Sequence, residues 1–211
     1  LLTCIRDPHS QSLLSGGEDG KVLRIAADGG ITIIAEAPRK WITQLAAGPQ
    51  NAVAYAHGKS TAVVLADGST KEFAETRTVE GIAFAPKGLR IAAARYNGVS
   101  LHWVATPGQP VELEWKGAHT SVTFSRDNRF IVTTMQENAL HGWRIADKKD
   151  MRMTGYPSKT RSFSWSPDGK WLATSGADAC VIWPFESKDG PMGKAPRECG
   201  VRPARINRVA F

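Results

Sequence analysis

The residues able to do chemistry are few, and none has a spacing that defines a reaction. The five histidines stand singly, and no two cysteines are separated by the two-residue gap of zinc ligands. A metal pair of Cys180 and Cys199, which flank one insertion, stays open as a minor alternative. Gly16-Gly17 and Gly29-Gly30 lie in turns between strands, with no helix behind them whose N-terminus would bind phosphate. Gly-x-Ser-x-Gly is absent as well. The sequence therefore predicts no catalytic residues, no metal and no cofactor, which favours a non-enzyme.

Composition indicates a globular chain with a sizeable core. Apolar residues make up 42% of the 211 residues, and no apolar run reaches the roughly 18 residues of a membrane span. The odd, sparse set of three cysteines fits a reducing compartment, so we expect a cytoplasmic protein without a membrane partner. The net charge of +7 comes from scattered Lys and Arg, which favours general solubility over a dedicated nucleic-acid site.

The stretch from Ser162 to Trp183 shows the elements that must position any functional residue. Its apolar residues predict strands at Phe163–Trp165, at 171–174 and at 181–183. The sequence Ser-Pro-Asp-Gly at 166–169 is typical of a turn, because Pro presets one φ angle and Gly tolerates a positive one. A second turn is predicted at 175–178.

Copies of this stretch recur along the whole chain. The apolar anchors of the first strands lie 39 to 41 residues apart, and the markers of the second turns lie 38 to 41 apart. Four short strands in about 40 residues are typical of a propeller blade. We therefore predict an all-β propeller of four-stranded antiparallel blades at about 1–38, 39–78, 79–117, 118–158 and 159–204, with 205–211 as the first strand of a sixth. The anchors are Ile5, Leu45, Phe84, Phe124 and Trp165, and the turn markers are Asp19, His57, Asn97, Glu137 and Asp178.

These motifs resemble the WD-repeat β-propeller family, and more closely its degenerate bacterial members. Ser-Gly-Gly-Glu-Asp-Gly at 15–20 and Ser-Gly-Ala-Asp at 175–178, each followed by an apolar strand, match the entry to the third strand of such repeats. No Trp-Asp dipeptide occurs, and the family's Gly-His appears only as Ala118-His119. The family's common number of seven blades implies an incomplete chain, whose missing part would close the ring.

The resemblance also implies a buried polar chain within each blade. In the family it links a His before strand one, a Ser or Thr on strand two, an acid in the next turn and a Trp on strand three. Such a chain would be structural, because it satisfies buried polar groups; a catalytic His–acid pair is the minor alternative. The candidates are His119, Thr133 (or Thr134), Glu137 and Trp143 in blade four, and Ser175, Asp178 and Trp183 in blade five.

The remaining candidate is a surface for other proteins. The loops that join successive blades are basic with interspersed aromatics, and Trp and Arg often anchor protein contacts. The insertion at 186–200 in blade five is a second candidate, since long loops on rigid scaffolds are often functional. We predict a protein-binding scaffold; a basic nucleic-acid-associated propeller and, more weakly, a propeller enzyme or small-ligand module are alternatives. The candidate residues are Arg39, Lys40, Trp41, Trp115, Lys116, Lys159, Arg161, Met192, Lys194, Arg197, Arg202 and Arg205.

Overall fold

Short antiparallel strands make up almost all of the regular structure, as the repeat predicts. The computed structural model describes all 211 residues, which form two compact units at 1–116 and 117–211. The helical structure is one 3-10 turn, Pro49–Asn51, so no helix is long and apolar enough to cross a membrane.

Blades one and two open the N-terminal unit, and each is a four-stranded antiparallel sheet whose strands follow chain order. Blade one contains β1 (Thr3–Asp7), β2 (Ser12–Gly16), β3 (Lys21–Ala26) and β4 (Ile31–Glu36). Blade two contains β5 (Gln44–Ala47), β6 (Val53–His57), β7 (Ser60–Val64) and β8 (Thr70–Ala74).

Blade three uses one long strand twice. Its first strand, β9 (Val79–Phe84), pairs with the first half of β10 (Arg90–Trp103). Asn97 and Gly98 have positive φ, and the backbone N–H of Val104 donates to the carbonyl of Leu89 at 3.0 Å. The two halves of β10 are therefore the second and third strands of one blade. Its fourth strand is the first half of β11 (Val111–Phe124).

Blades four and five form the C-terminal unit. Blade four begins with the second half of β11 and continues through β12 (Phe130–Met135), β13 (Leu140–Arg144) and β14 (Asp150–Met153). Blade five contains β15 (Phe163–Trp165), β16 (Trp171–Thr174), β17 (Cys180–Pro184) and β18 (Arg197–Cys199). The five blades confirm the predicted fold class.

The turn between the first two strands is built alike in blades four and five. In blade five the N–H of Gly169 donates to the carbonyl of Ser166 at 2.9 Å, and Gly169 has a φ of 72°. In blade four Asn128 and Ser125 make the same 2.9 Å bond, with Asn128 at a φ of 65°. Asn is the non-glycine residue that best tolerates this left-handed region, which explains how the two sequences form one turn.

The core lies between successive sheets within each unit. In the N-terminal unit, Leu14 of blade one packs with Val53 and Val64 of blade two. In the C-terminal unit, Phe130 of blade four packs with Trp165 of blade five. A four-stranded sheet with two apolar faces can bury them only against other sheets, so neighbouring blades stabilise each other.

Two local predictions are wrong. The fourth strand of blade five lies at 197–199, inside the predicted insertion, which therefore spans 186–196. Residues 205–211 form no strand: the N–H groups of Val209 and Phe211 donate to side-chain hydroxyls of blade five instead of to the backbone of a partner strand.

Candidate functional site

The loops that join successive blades pack on the turns between the second and third strands. In the N-terminal unit, the loop after β4 is held by two hydrogen bonds, from Ala37 N–H to the Gly20 carbonyl (2.8 Å) and from Ile42 N–H to the Gly17 carbonyl (2.9 Å). Gly20 has a φ of 76°, and a Cβ there would lie 2.2 Å from the Ala37 carbonyl oxygen. Only glycine allows this close approach, so the loop is fixed by backbone contacts.

The exposed tip of this loop is the turn Ala37–Lys40. Lys40 N–H donates to the Ala37 carbonyl at 3.1 Å, Pro38 holds the second position, and Arg39 at the third has a φ of 64°. Pro followed by a residue with positive φ is characteristic of a type II turn, where glycine is normally used. Arg39 is therefore strained, by about 1–2 kcal/mol. Trp41 follows directly, with 59% of its surface exposed.

The second loop of the N-terminal unit follows the same design. Glu75 N–H donates to the Lys59 carbonyl at 2.8 Å, and Val79 N–H donates to the Gly58 carbonyl at 2.9 Å. Trp115 and Lys116 lie at the end of the unit; Trp115 is half-buried and Lys116 is exposed. We call the loops at 37–42 and 75–79, with their supporting turns, the loop face.

In the C-terminal unit, the loop between β14 and β15 packs on the turn at 175–178. The Ser158 hydroxyl donates to the Gly176 carbonyl at 2.7 Å, and Ser175 N–H donates to the Ser162 carbonyl at 3.0 Å. The four basic candidate residues of this unit's loops are exposed, and Arg202 N–H donates to the Asp178 carbonyl at 2.8 Å. These residues are Lys159, Arg161, Arg202 and Arg205.

The insertion at 186–196 is anchored to blade four at its start. Arg144 Nη1 donates to Asp189 Oδ1 at 2.6 Å, and Arg129 Nη1 donates to the Ser187 carbonyl at 3.1 Å. Gly190 is buried, and a Cβ there would lie 3.3 Å from the Phe130 ring. Gly190 and Pro191 are buried, so removing residues 190–196 is expected to lower stability.

The three candidate residues at this insertion have different surroundings. Met192 and Lys194 are exposed beyond the anchored part, and the exposed fraction of Met192 is 44%. Arg197 lies on β18, and its guanidinium carbon is 4.5 Å from the centre of the Trp171 ring. A cation over an aromatic face holds a strand edge in place, so Arg197 has a structural contact that the sequence did not reveal.

Blade four contains part of the predicted polar chain. His119 Nδ1 lies 2.8 Å from the Thr133 hydroxyl, which donates to the His141 carbonyl at 3.1 Å. The proton shared by the first pair therefore sits on His119 Nδ1. The His119 and Trp143 ring centres are 5.5 Å apart. Glu137 is exposed, and its place in this chain stays a prediction.

Blade five contains a complete chain with a member that sequence reasoning missed. Trp183 Nε1 donates to the Tyr156 hydroxyl at 2.6 Å, Tyr156 lies 2.6 Å from the Thr174 hydroxyl, and Thr174 donates to the Val181 carbonyl at 2.9 Å. The Trp183 N–H donates to Tyr156, and each of the two hydroxyls both accepts one hydrogen bond and donates another. Burial raises the pKa of Tyr156 to about 12. Asp178 is exposed, so it takes no place in this buried chain.

Ser175 has another role in blade five. Its hydroxyl accepts hydrogen bonds from the N–H groups of Arg161 and Ser162, both at 3.1 Å. It thereby fixes the start of the blade instead of joining the polar chain at Trp183. The prediction of a chain through Ser175 and Asp178 is wrong because Tyr156 reaches Trp183 from the preceding loop.

Blade three contains a buried charged network that the sequence did not indicate. Glu75 accepts hydrogen bonds from the Ser100 hydroxyl and from His102 Nε2, both at 2.8 Å. Arg95 Nε donates to Ser100 at 3.1 Å, and an Arg95 Nη2 hydrogen bond extends the network to Glu112. His102 contacts one oxygen of the Glu75 carboxylate and Ser100 contacts the other. The imidazole is therefore not placed to take a proton from the Ser100 hydroxyl. The network therefore has a structural role: its hydrogen bonds hold the loop at Glu75 against the strands of blade three, and we call it the structural lock.

Arg95 and Glu112 of this network, together with Tyr96 and Trp115, line a depression of about 940 Å³. The side chains that close the network thus also line an open surface.

The repeat itself contained the missed signal. Glu75 lies nine residues before the anchor Phe84, and Tyr156 lies nine before the anchor Trp165. His102 and Trp183 both lie 18 residues after those anchors. The two pairs therefore occupy equivalent places with different chemistry, which alignment by anchor position would have revealed.

Repeated four-stranded sheets, with buried polar chains in blades three, four and five, define a β-propeller protein. Residues 149–183 match the family described as WD domain, G-beta repeat. The chain is 27% identical over 164 residues to actin-interacting protein 1 of Caenorhabditis elegans, a match covering 76% of this chain and 24% of that protein. The repeat, the blades and these matches show that the chain is similar to WD-repeat proteins.

Shorter matches point to the same family. WD repeat-containing protein 1-A of Xenopus laevis and WD repeat-containing protein 1 of Xenopus tropicalis are each 31% identical over 77 residues, 35% of this chain and 13% of each protein. The chain thus matches a quarter or less of the length of these relatives.

Proposed function

We propose that this chain is a non-catalytic protein-binding scaffold, and that the loop face around Arg39, Lys40 and Trp41 holds the partner. The strained backbone of Arg39 is the observation that carries this proposal. A type II turn selects glycine at that position, so a strained Arg is expected where its side chain has a use on the surface.

Trp41 supplies the second argument. An exposed indole beside two cations is the residue combination found at the centres of protein interfaces. The loop is pre-organised by its bonds to Gly17 and Gly20, so little conformational entropy is lost on binding. A nucleic-acid site would favour clustered cations instead, and these cations are scattered along the chain.

The names of the relatives suggest the first partner to try. The Caenorhabditis elegans relative is named for an interaction with actin. The proposal for this chain is therefore tested first by co-sedimentation with filamentous actin and then by affinity capture from the native host.

The decisive comparison uses two tryptophans of the N-terminal unit. Trp41→Ala removes the proposed anchor, whereas Trp103→Ala removes an indole that is 49% exposed near Gly88, at the other end of the blade strands. We expect Trp41→Ala to weaken binding by roughly tenfold or more and Trp103→Ala to leave it unchanged. Equal binding by wild type and Trp41→Ala would contradict the proposal.

The dependence of binding on salt concentration distinguishes a protein partner from a nucleic-acid partner. A protein anchor of aromatic type should retain most of its affinity between 50 and 200 mM salt, whereas nucleic-acid binding would fall steeply, by about 10³-fold or more with six or more phosphate contacts. Binding that disappears with salt and with nuclease treatment would favour the nucleic-acid alternative.

We also propose secondary contact residues and a cellular location. Met192 and Lys194 are proposed as a secondary contact, because they project beyond the anchored part of the insertion. Lys159, Arg161, Arg202 and Arg205 are proposed as peripheral basic contacts. A cytoplasmic location is also proposed, and the three unpaired cysteines are consistent with it.

A further inference from the structure

Two cysteines face each other across the last strand pair of the C-terminal unit. Cys180 of β17 and Cys199 of β18 are direct partners in the antiparallel register, so their side chains lie on the same side of the sheet. Directly opposed residues of antiparallel strands have Cα atoms about 4.5–5.5 Å apart. Disulfides span about 4.4–6.8 Å between Cα atoms, so the backbone already has the required spacing.

The strand that carries Cys199 is a three-residue edge strand paired with β17. β18 has three exposed residues, and its first residue, Arg197, is held by the Trp171 ring on the same side of the sheet. Cys199 ends the strand, and both cysteines are free thiols. Cys199 is exposed and Cys180 is half-buried. Burial and the neighbouring Cys199 raise the pKa of Cys180, so Cys199 is the thiol that reacts first.

We propose that Cys180 and Cys199 form a reversible intramolecular disulfide with small-molecule disulfides such as oxidised glutathione as the oxidant. The Cys199 thiolate attacks the glutathione disulfide, which forms a mixed disulfide and releases one glutathione thiolate. The Cys180 thiolate then attacks the Cys199 sulfur and displaces the second glutathione. Two protein thiols are oxidised, one glutathione disulfide is reduced to two thiols, and the protein loses two hydrogen atoms.

The bond would close residues 180–199 into a covalent loop that contains the whole insertion. Its start is already held by Arg129 and Arg144, so the disulfide would fasten its end. In a reducing compartment the thiols stay free, and the bond forms when glutathione becomes oxidised. This inference does not depend on which partner the loop face binds.

The test incubates the full chain with defined ratios of oxidised and reduced glutathione, followed by acid quench, alkylation of free thiols and peptide mass spectrometry. We expect a linked peptide pair containing Cys180 and Cys199, reversed by reductant. Cys4→Ser is the matched control, since Cys4 is exposed in the other unit, and it should give the same linkage. Cys180→Ser should stop at the mixed disulfide on Cys199.

Hydrogen exchange gives a second readout. The exchange rate of the β18 amide hydrogens should fall by roughly tenfold or more in the oxidised form. The disulfide closes the loop and so restricts the open conformations of this edge strand. Wild type that stops at a glutathione adduct on Cys199, or that links only between chains, would overturn the proposal, as would unchanged exchange of β18 in the linked form.

Discussion

Trp183 donates its indole N–H to the Tyr156 hydroxyl at 2.6 Å, and this bond ties blade five to the loop that precedes it. Blade three uses Glu75 and His102 at the equivalent positions, whereas blade four has the pair of His119 and Thr133 at other positions of its repeat. One place in the repeat thus accepts two different polar pairs. Each pair satisfies a buried group that would otherwise destabilise the sheet.

Tyr156→Phe should lower the free energy of unfolding by about 1–3 kcal/mol, because it leaves the buried Trp183 N–H and the Thr174 hydroxyl without the phenol oxygen. Chemical denaturation measures the change. Tyr96→Phe is the matched control, since Tyr96 is 46% exposed and should change stability by less than about 0.5 kcal/mol. Equal effects of the two substitutions would show that the bond contributes nothing.

Glu75→Gln should destabilise the N-terminal unit by about 1–3 kcal/mol, the cost of leaving buried polar groups without a partner. The Glu75 carboxylate is buried and accepts from Ser100 and His102, and Arg95 keeps its pairing with Glu112 when the Glu75 charge is removed. Glu114→Gln changes an exposed carboxylate on the neighbouring strand and should be nearly neutral. Thermal unfolding of the three proteins provides the comparison, and a loss below about 1 kcal/mol for Glu75→Gln would refute the proposed lock.

His141 should make stability depend on pH between about 6.5 and 3. Burial, and then the neighbouring His119 and Arg152, lower the pKa of His141 to about 3. Asp150 Oδ2 lies 3.5 Å from Nε2, but its side chain is 51% exposed and water screens its charge. Below pH 6.5 His141 therefore binds a proton in the unfolded chain, whereas in the folded chain it stays neutral down to about pH 3.

The free energy of unfolding should consequently fall as the pH is lowered through this window. In His141→Phe, which keeps an aromatic ring and removes the titration, the fall should be smaller. Urea denaturation at pH 7, 6, 5 and 4 gives both slopes. Parallel curves for wild type and variant would mean that His141 takes up its proton in the folded state too.

Arg39→Gly should stabilise the chain and weaken partner binding at the same time. Glycine adopts the φ of 64° without the penalty of a side chain, which should add up to about 1 kcal/mol after its greater freedom in the unfolded chain is subtracted. Calorimetry and binding assays on the same preparation test the pair of effects. Stabilisation without any loss of binding would contradict the proposed role of the Arg39 side chain in partner binding.

The sequence predicted the elements better than the contacts. Turns such as 166–169 depend on neighbouring residues, and the strands of blade five followed from local alternation. Tyr156 and Glu75 were missed because their partners lie 27 residues further on, and neither belongs to the family pattern. β18 was misplaced because its exposed residues show no alternation, and its position depends on pairing with β17.

The loop face around Arg39, Lys40 and Trp41 is the proposed site of partner binding. Hydrogen exchange of the full chain, free and bound to actin or to a partner captured from the host, tests this directly. We expect protection at residues 37–42, with little change at the turn 85–89 at the other end of the blade strands. Protection at 85–89 with none at 37–42 would contradict the account.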